Sequence, residues 1–124
     1  MPLDHHPLLL FISMSISLDV TEKSGSIIIS LSGRLDSQGS NILKKELEDQ
    51  IEKAQGNVII NMENVSFMSS AGIGVTVKAL TTLKSKGFDL RLAKVSDEIK
   101  KIYDMLGFSS AIRFYSDVNA ATQA

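Results

Sequence analysis

The chain of 124 residues has the length of one domain, with 44% hydrophobic residues and no cysteine, enough to bury a core without disulfides or metal. Its 13 Lys and Arg against 14 Asp and Glu exert no general pull toward nucleic acid or an anionic membrane. The only histidines, His5 and His6, lie in the N-terminal tail, so the body of the domain lacks a histidine general base and a histidine metal ligand, which removes most hydrolase and metalloenzyme mechanisms.

Residues 1–13 read differently from the rest. Leu8-Leu9-Leu10-Phe11-Ile12 is apolar but far too short to span a bilayer. It is also short for a signal-peptide core, and no Lys or Arg precedes it. Two readings are open: a disordered extension or misassigned start upstream of Met14, or a short anchor or partner-binding tail. The folded domain is expected over 14–124, in a cytoplasmic protein.

Ile16 to Thr21 alternates as a strand does, with Ile16, Leu18 and Val20 on one face. Ser24-Gly25 marks a tight turn into the β-branched run Ile27 to Leu31, which ends at Gly33, so the two runs are predicted to form a hairpin. Asp36-Ser37-Gln38-Gly39-Ser40 offers helix caps. From Asn41 to Gln55, Leu43, Leu47, Ile51 and Ala54 form one helical face, and Gly56 ends it. Val58 to Met62 reads as a buried strand. Phe67-Met68 leads through Ser69-Ser70 into a second helix over Ala71 to Lys86, with Ile73, Val77, Leu80 and Leu83 inward. Phe88 to Ala93 is another strand. Ser96 caps a third helix with the stripe Ile99, Ile102, Tyr103 and Leu106, ended by Gly107. Ile112-Arg113-Phe114 is a last strand, and Asp117 to Ala121 can start a short helix. The order, a hairpin followed by αβαβαβ(α), predicts an α/β fold: a mostly parallel sheet, one antiparallel strand, and helices packed against it.

The strongest local feature is Asn64-Val65-Ser66-Phe67-Met68-Ser69-Ser70-Ala71-Gly72-Ile73-Gly74. It follows a parallel strand and opens a helix, at the sheet edge where sites form. The first-turn N–H groups there can receive an anion, so a phosphate on Ser69 or Ser70 would be met by unpaired donors. A serine pair before a helix is equally a plain N-cap. The two glycines cost about 1 kcal/mol each relative to alanine, which points to a need for close approach. No Gly-Lys-Ser/Thr follows, and the third glycine of a dinucleotide fingerprint is missing, so neither nucleotide loop is present. Gly33-Arg34-Leu35-Asp36 falls on the same edge, where Asp36 can cap a helix, accept from a serine or repel a phosphate. Met105 points off the third helix's apolar stripe, as a residue on a partner surface would.

Gly33-Arg34-Leu35-Asp36, Val65 to Gly74, and Ile102-Tyr103-Asp104-Met105-Leu106-Gly107-Phe108 together resemble the bacterial anti-sigma factor antagonists, single-domain members of the STAS fold. The resemblance covers about Met14 to Ala121. It implies a non-enzymatic binding protein without cofactor or metal; the free chain is expected to be a monomer, and neither nucleic acid nor membrane is expected as a partner. Its implied partners are an anti-sigma factor that is also a serine kinase, and a metal-dependent serine phosphatase. In the dephosphorylated state the antagonist binds the kinase and frees a sigma factor or other target; phosphorylation of a loop serine ends the complex. The common loop pattern is Asp-Ser-Ser/Thr-Gly-Leu-Gly. Setting Gly72-Ile73-Gly74 on its Gly-Leu-Gly puts Ser70 at the acceptor position, Ser69 in place of the Asp and Ala71 in place of the second hydroxyl. Ser69 stays open as an alternative acceptor. The implied partner surface is Asp36, Ser37, Phe67, Met68, Ser69, Ser70, Ala71, Gly72, Ile73, Gly74 and Met105. The other reading that stays open is a STAS subunit of a transport or sensory complex that is not phosphorylated.

Overall fold

The computed structural model describes residues 15–124; the expectations for residues 1–13 lie outside the described residues. The antiparallel pair β1 (Ile16–Lys23) and β2 (Ser26–Leu35) is joined by Ser24-Gly25. Both turn residues have positive φ, 53° and 82°, the geometry that matches the right-handed twist of paired strands. Then follow α1 (Ser37–Glu52), β3 (Val58–Met68), α2 (Ser70–Ser85), β4 (Leu90–Ala93), α3 (Asp97–Met105), β5 (Arg113–Tyr115) and α4 (Val118–Gln123).

The fold is α/β, with a five-stranded mixed sheet in the order β1-β2-β3-β4-β5. Among the described residues β1–β2 is the antiparallel pair, and the other pairings are parallel. Because the strand order never reverses, right-handed crossovers put α1, α2 and α3 on one face. There Leu43, Leu47, Ile51, Ile73, Leu80, Leu83, Ile99 and Tyr103 share a core with Ile29, Leu31, Ile60, Met62, Leu90 and Leu92. The opposite face is covered in part by α4, whose Ala121 and Val118 pack with Ile28, Ile59, Ala93 and Tyr115. Arg91 anchors that helix: its Nη1 donates to the Ala121 carbonyl at 2.8 Å while its Nε pairs with Asp89 at 3.1 Å.

Several boundaries move for local reasons. α1 starts at Ser37, not Asn41, because Asp36 is its N-cap, and it ends at Glu52, ahead of Gly56. β3 runs on to Met68, six residues past the expected end. Two bulges, each adding one residue to β3, shift its register against β2, so the buried residues become Met62, Val65 and Met68. Their spacing of three breaks the alternation that marks a strand. In α2 the buried face includes Thr76 and Ala79, with Val77 only half-buried. Leu106, expected in the α3 stripe, is exposed because it is the C-cap.

Candidate functional site

β2 and β3 end side by side at the carboxyl edge of the sheet, with Leu35 opposite Met68. The Leu35 carbonyl accepts from the Ser69 N–H at 2.9 Å and from the Ser69 hydroxyl at 2.8 Å. Ser69 Oγ in turn accepts from the Gly72 N–H at 3.3 Å, as the N-cap of α2. Ser69 is thus half-buried and bonded on both sides of its hydroxyl. Ser70, the first residue of α2, is exposed, and among the described residues its hydroxyl has no hydrogen-bond partner. The two serines that sequence reasoning left as alternatives have different surroundings: one closes the loop, the other faces solvent.

Asp36 occupies the matching place one strand away. Its Oδ1 accepts from the Gly39 N–H at 2.9 Å and its Oδ2 from the Ser15 hydroxyl at 3.0 Å. The Gly39 N–H foremost holds its carboxyl below the usual carboxylate range; desolvation, next in size, opposes it, and the Ser15 hydroxyl and the Arg34 charge add to the lowering. It is therefore a fixed negative charge at neutral pH, bonded to Ser15 and not to Ser69 or Ser70. Ser15 was missed from sequence, since nothing local links a residue at the head of β1 to an acid 21 positions on.

The glycines of the loop do different work. A Cβ on Gly72 would lie 3.2 Å from Leu35 Cβ, Met68 Cγ and Ser40 Oγ, so Gly72 is there for packing; a Cβ on Gly74 would meet nothing within 4 Å. Gly74 and Ala71 line one part of an open groove of about 560 Å³ between α1 and α2, together with Leu47, Ile51, Val75 and Ala79.

Of the expected partner surface, Ser37, Phe67, Ser70, Ala71, Gly74 and Met105 are exposed, and Asp36 and Ser69 half-buried. Met68, Gly72 and Ile73 are buried; expected as contact residues, they lie beneath the loop and support it. Phe67 turns to the opposite face of β3, where the Arg34 guanidinium sits 4.4 Å from its ring centroid. Met105 is 82% exposed, two residues beyond Tyr103. The Tyr103 hydroxyl is 2.6 Å from Thr76 Oγ1 and 3.8 Å from Met68 Sδ, which ties α3 to α2 and to the floor of the loop. The Thr76 hydroxyl donates to the Ile73 carbonyl at 2.8 Å. Among the described residues there is no cluster of three or more metal-ligating side chains, and no helix long and apolar enough to cross a membrane.

A family model, the STAS domain, matches residues 17–121. The chain belongs to the STAS family. It is 26% identical over 112 residues to an anti-sigma F factor antagonist of Paenibacillus polymyxa, covering 89% of this chain and 96% of that protein. Its fold is similar to an anti-sigma factor antagonist from Mycobacterium paratuberculosis, with TM-score 0.81, 17% identity and coverage of 88% and 92% of the two chains. It is likewise similar to the Bacillus cell fate determinant SpoIIAA in its phosphorylated form, with TM-score 0.68, 20% identity and coverage of 86% and 98%. These structural likenesses bear on the fold; the site of this STAS chain rests on its own residues.

Proposed function

We propose that this chain is an anti-sigma factor antagonist that works by partner switching, as a regulatory binding protein and not as an enzyme. Unphosphorylated, it binds an anti-sigma factor with serine kinase activity, and a sigma factor or other target is released. The kinase transfers phosphate from ATP to Ser70, the complex separates, and a metal-dependent phosphatase restores the binding state. The observation that carries this reading is the exposed, unbonded hydroxyl of Ser70 beside a Ser69 hydroxyl held by Gly72 and Leu35. The names of the relatives support the role, and the phosphorylated state of a structural relative supports the switch.

The physical chemistry suits such a switch. A phosphate adds about −1.5 to −2 charges and three strong acceptors. On Ser70 it would stand at the same edge as the ionised Asp36, inside the proposed contact surface, where burying it is costly. Tenfold weaker binding needs only about 1.4 kcal/mol, so a single phosphate can break the complex while the fold stays intact. Incubation with the cognate kinase and ATP, followed by peptide mapping, tests the acceptor. Phosphate on Ser70 is expected, absent in Ser70→Ala; phosphate on Ser69 instead would overturn the assignment. A stable complex indifferent to Ser70→Glu would favour an unphosphorylated STAS subunit of a larger assembly.

A further inference from the structure

Beneath the acceptor loop lies a pair of buried hydroxyls that the proposed switch does not use. Tyr103 and Thr76 are buried, as are Met68 and Ile73, the residues that bracket Ser69 to Gly72. The Tyr103 hydroxyl lies 2.6 Å from Thr76 Oγ1 and 3.8 Å from Met68 Sδ, and Thr76 Oγ1 lies 2.8 Å from the Ile73 carbonyl. Each hydroxyl has a single proton to donate. With the Thr76 proton on Ile73, the Tyr103 proton goes to Thr76. With the Tyr103 proton on Met68, the Thr76 proton turns to Tyr103. The first arrangement holds the first turn of α2, the second the end of β3, and Ser70 lies between the two. The Ile73 N–H donates to the Ser69 carbonyl at 3.1 Å, so the turn that Thr76 holds is the one that carries Ser70. The Tyr103 ring is itself set by Phe114, which it meets edge-on at 5.4 Å.

Stability does not call for these hydroxyls. A Phe and a Val fill nearly the same space, and replacing both partners of a buried hydrogen bond by apolar groups of like shape is close to neutral. What a satisfied buried network adds is a single arrangement of the parts it joins. The parts joined here are α3, the end of β3 and the first turn of α2. We propose that Tyr103 is a positioning residue for Ser70: its hydroxyl, through Thr76 and Met68, holds both ends of the acceptor loop in the form that the kinase binds. The inference rests on the reading of Ser70 given above. Without the hydroxyl the loop spreads over other forms, and only the fraction in the docking form binds. The apparent affinity for the kinase falls by that fraction, while a loop already docked reacts at the same rate. The effect therefore falls on KM and spares kcat.

The test compares the full chain with Tyr103→Phe, Thr76→Val and Thr76→Ser in two measurements: amide hydrogen exchange of the free protein, and phosphorylation kinetics with ATP and the cognate kinase. In Tyr103→Phe and Thr76→Val the Ile73 amide is expected to exchange about tenfold faster, while the Leu80 and Leu83 amides further along α2 keep their protection. In the same two variants KM for this chain is expected to rise about tenfold with kcat unchanged. Thr76→Ser keeps the hydroxyl and should match the wild type in both measurements. A loss of packing alone would speed exchange along the whole of α2 and leave KM unchanged wherever the chain is folded. That result overturns the proposal, as does wild-type KM in both variants or a fall confined to kcat. Thr76→Ser behaving like Thr76→Val assigns the effect to the shape of the side chain and overturns it as well. The selective response at Ile73, with no phosphate on Ser70 of the wild-type chain, upholds the hold on the loop and overturns the Ser70 reading.

Discussion

The Ser69 hydroxyl accepts from Gly72 and donates to Leu35, while the Ser70 hydroxyl beside it serves no part of the fold. Ser69→Ala is expected to lower stability by about 1 kcal/mol, the typical cost of an N-cap, and Ser69→Asp to restore it; urea unfolding of both variants measures this. Ser70→Ala is expected to shift stability by less than about 0.5 kcal/mol. Gly74→Ala should stabilise α2 by about 1 kcal/mol, since the site is an exposed helical position with open space around it. On the proposed function it should at the same time weaken kinase binding, because a methyl group intrudes on the contact surface. Higher stability with unchanged binding would take Gly74 out of that surface. Asp36 gives a pH dependence. Its folded carboxyl titrates below its ordinary value, so its stabilising effect is full above the unfolded pKa, about 3.9, and is lost as pH falls through the folded value. The stability gap between wild type and Asp36→Asn should therefore narrow in acid and be steady from pH 5 to 7.

At the scale of elements, Tyr103 and Arg91 join pieces that the chain order alone leaves apart. Tyr103 is fully buried, burial pushes its phenol well above its ordinary value, and its ring meets Phe114 edge-on at 5.4 Å. The neutral phenol is the stabilising form, so wild type should lose stability above about pH 10 in a way that Tyr103→Phe does not. Arg91→Ala removes a charged donor from the Ala121 carbonyl and should cost about 2 kcal/mol, with α4 the first element to lose hydrogen-exchange protection. The regular elements were legible because their apolar residues keep one period each: Leu43, Leu47 and Ile51 in α1, and Ile99 with Tyr103 in α3. β3 was not, beyond Met62, because its bulges replace alternation by a spacing of three. The groups closing the site were also illegible. The Ser15–Asp36 and Thr76–Tyr103 bonds join residues far apart in sequence, and no local pattern marks them. Gly72 and Gly74 looked alike in sequence, and only the packing separates a buried close approach from an open surface position.

For the molecule as a whole, the sequential strand order sends α1 and α2 off the same sheet edge in parallel, and this brings Asp36, Ser37 and Ser70 together. The order of elements and the STAS membership followed from the sequence. Which hydroxyl is free did not, since exposure is a property of the folded edge. On the proposed function that edge keeps its shape, and its charge decides binding. The most direct test is calorimetric titration of the cognate kinase with this chain in its unphosphorylated and Ser70-phosphorylated forms. Binding at least about tenfold weaker for the phosphorylated form, with an unchanged circular dichroism spectrum, is the expected result. Equal affinity of the two forms would contradict it.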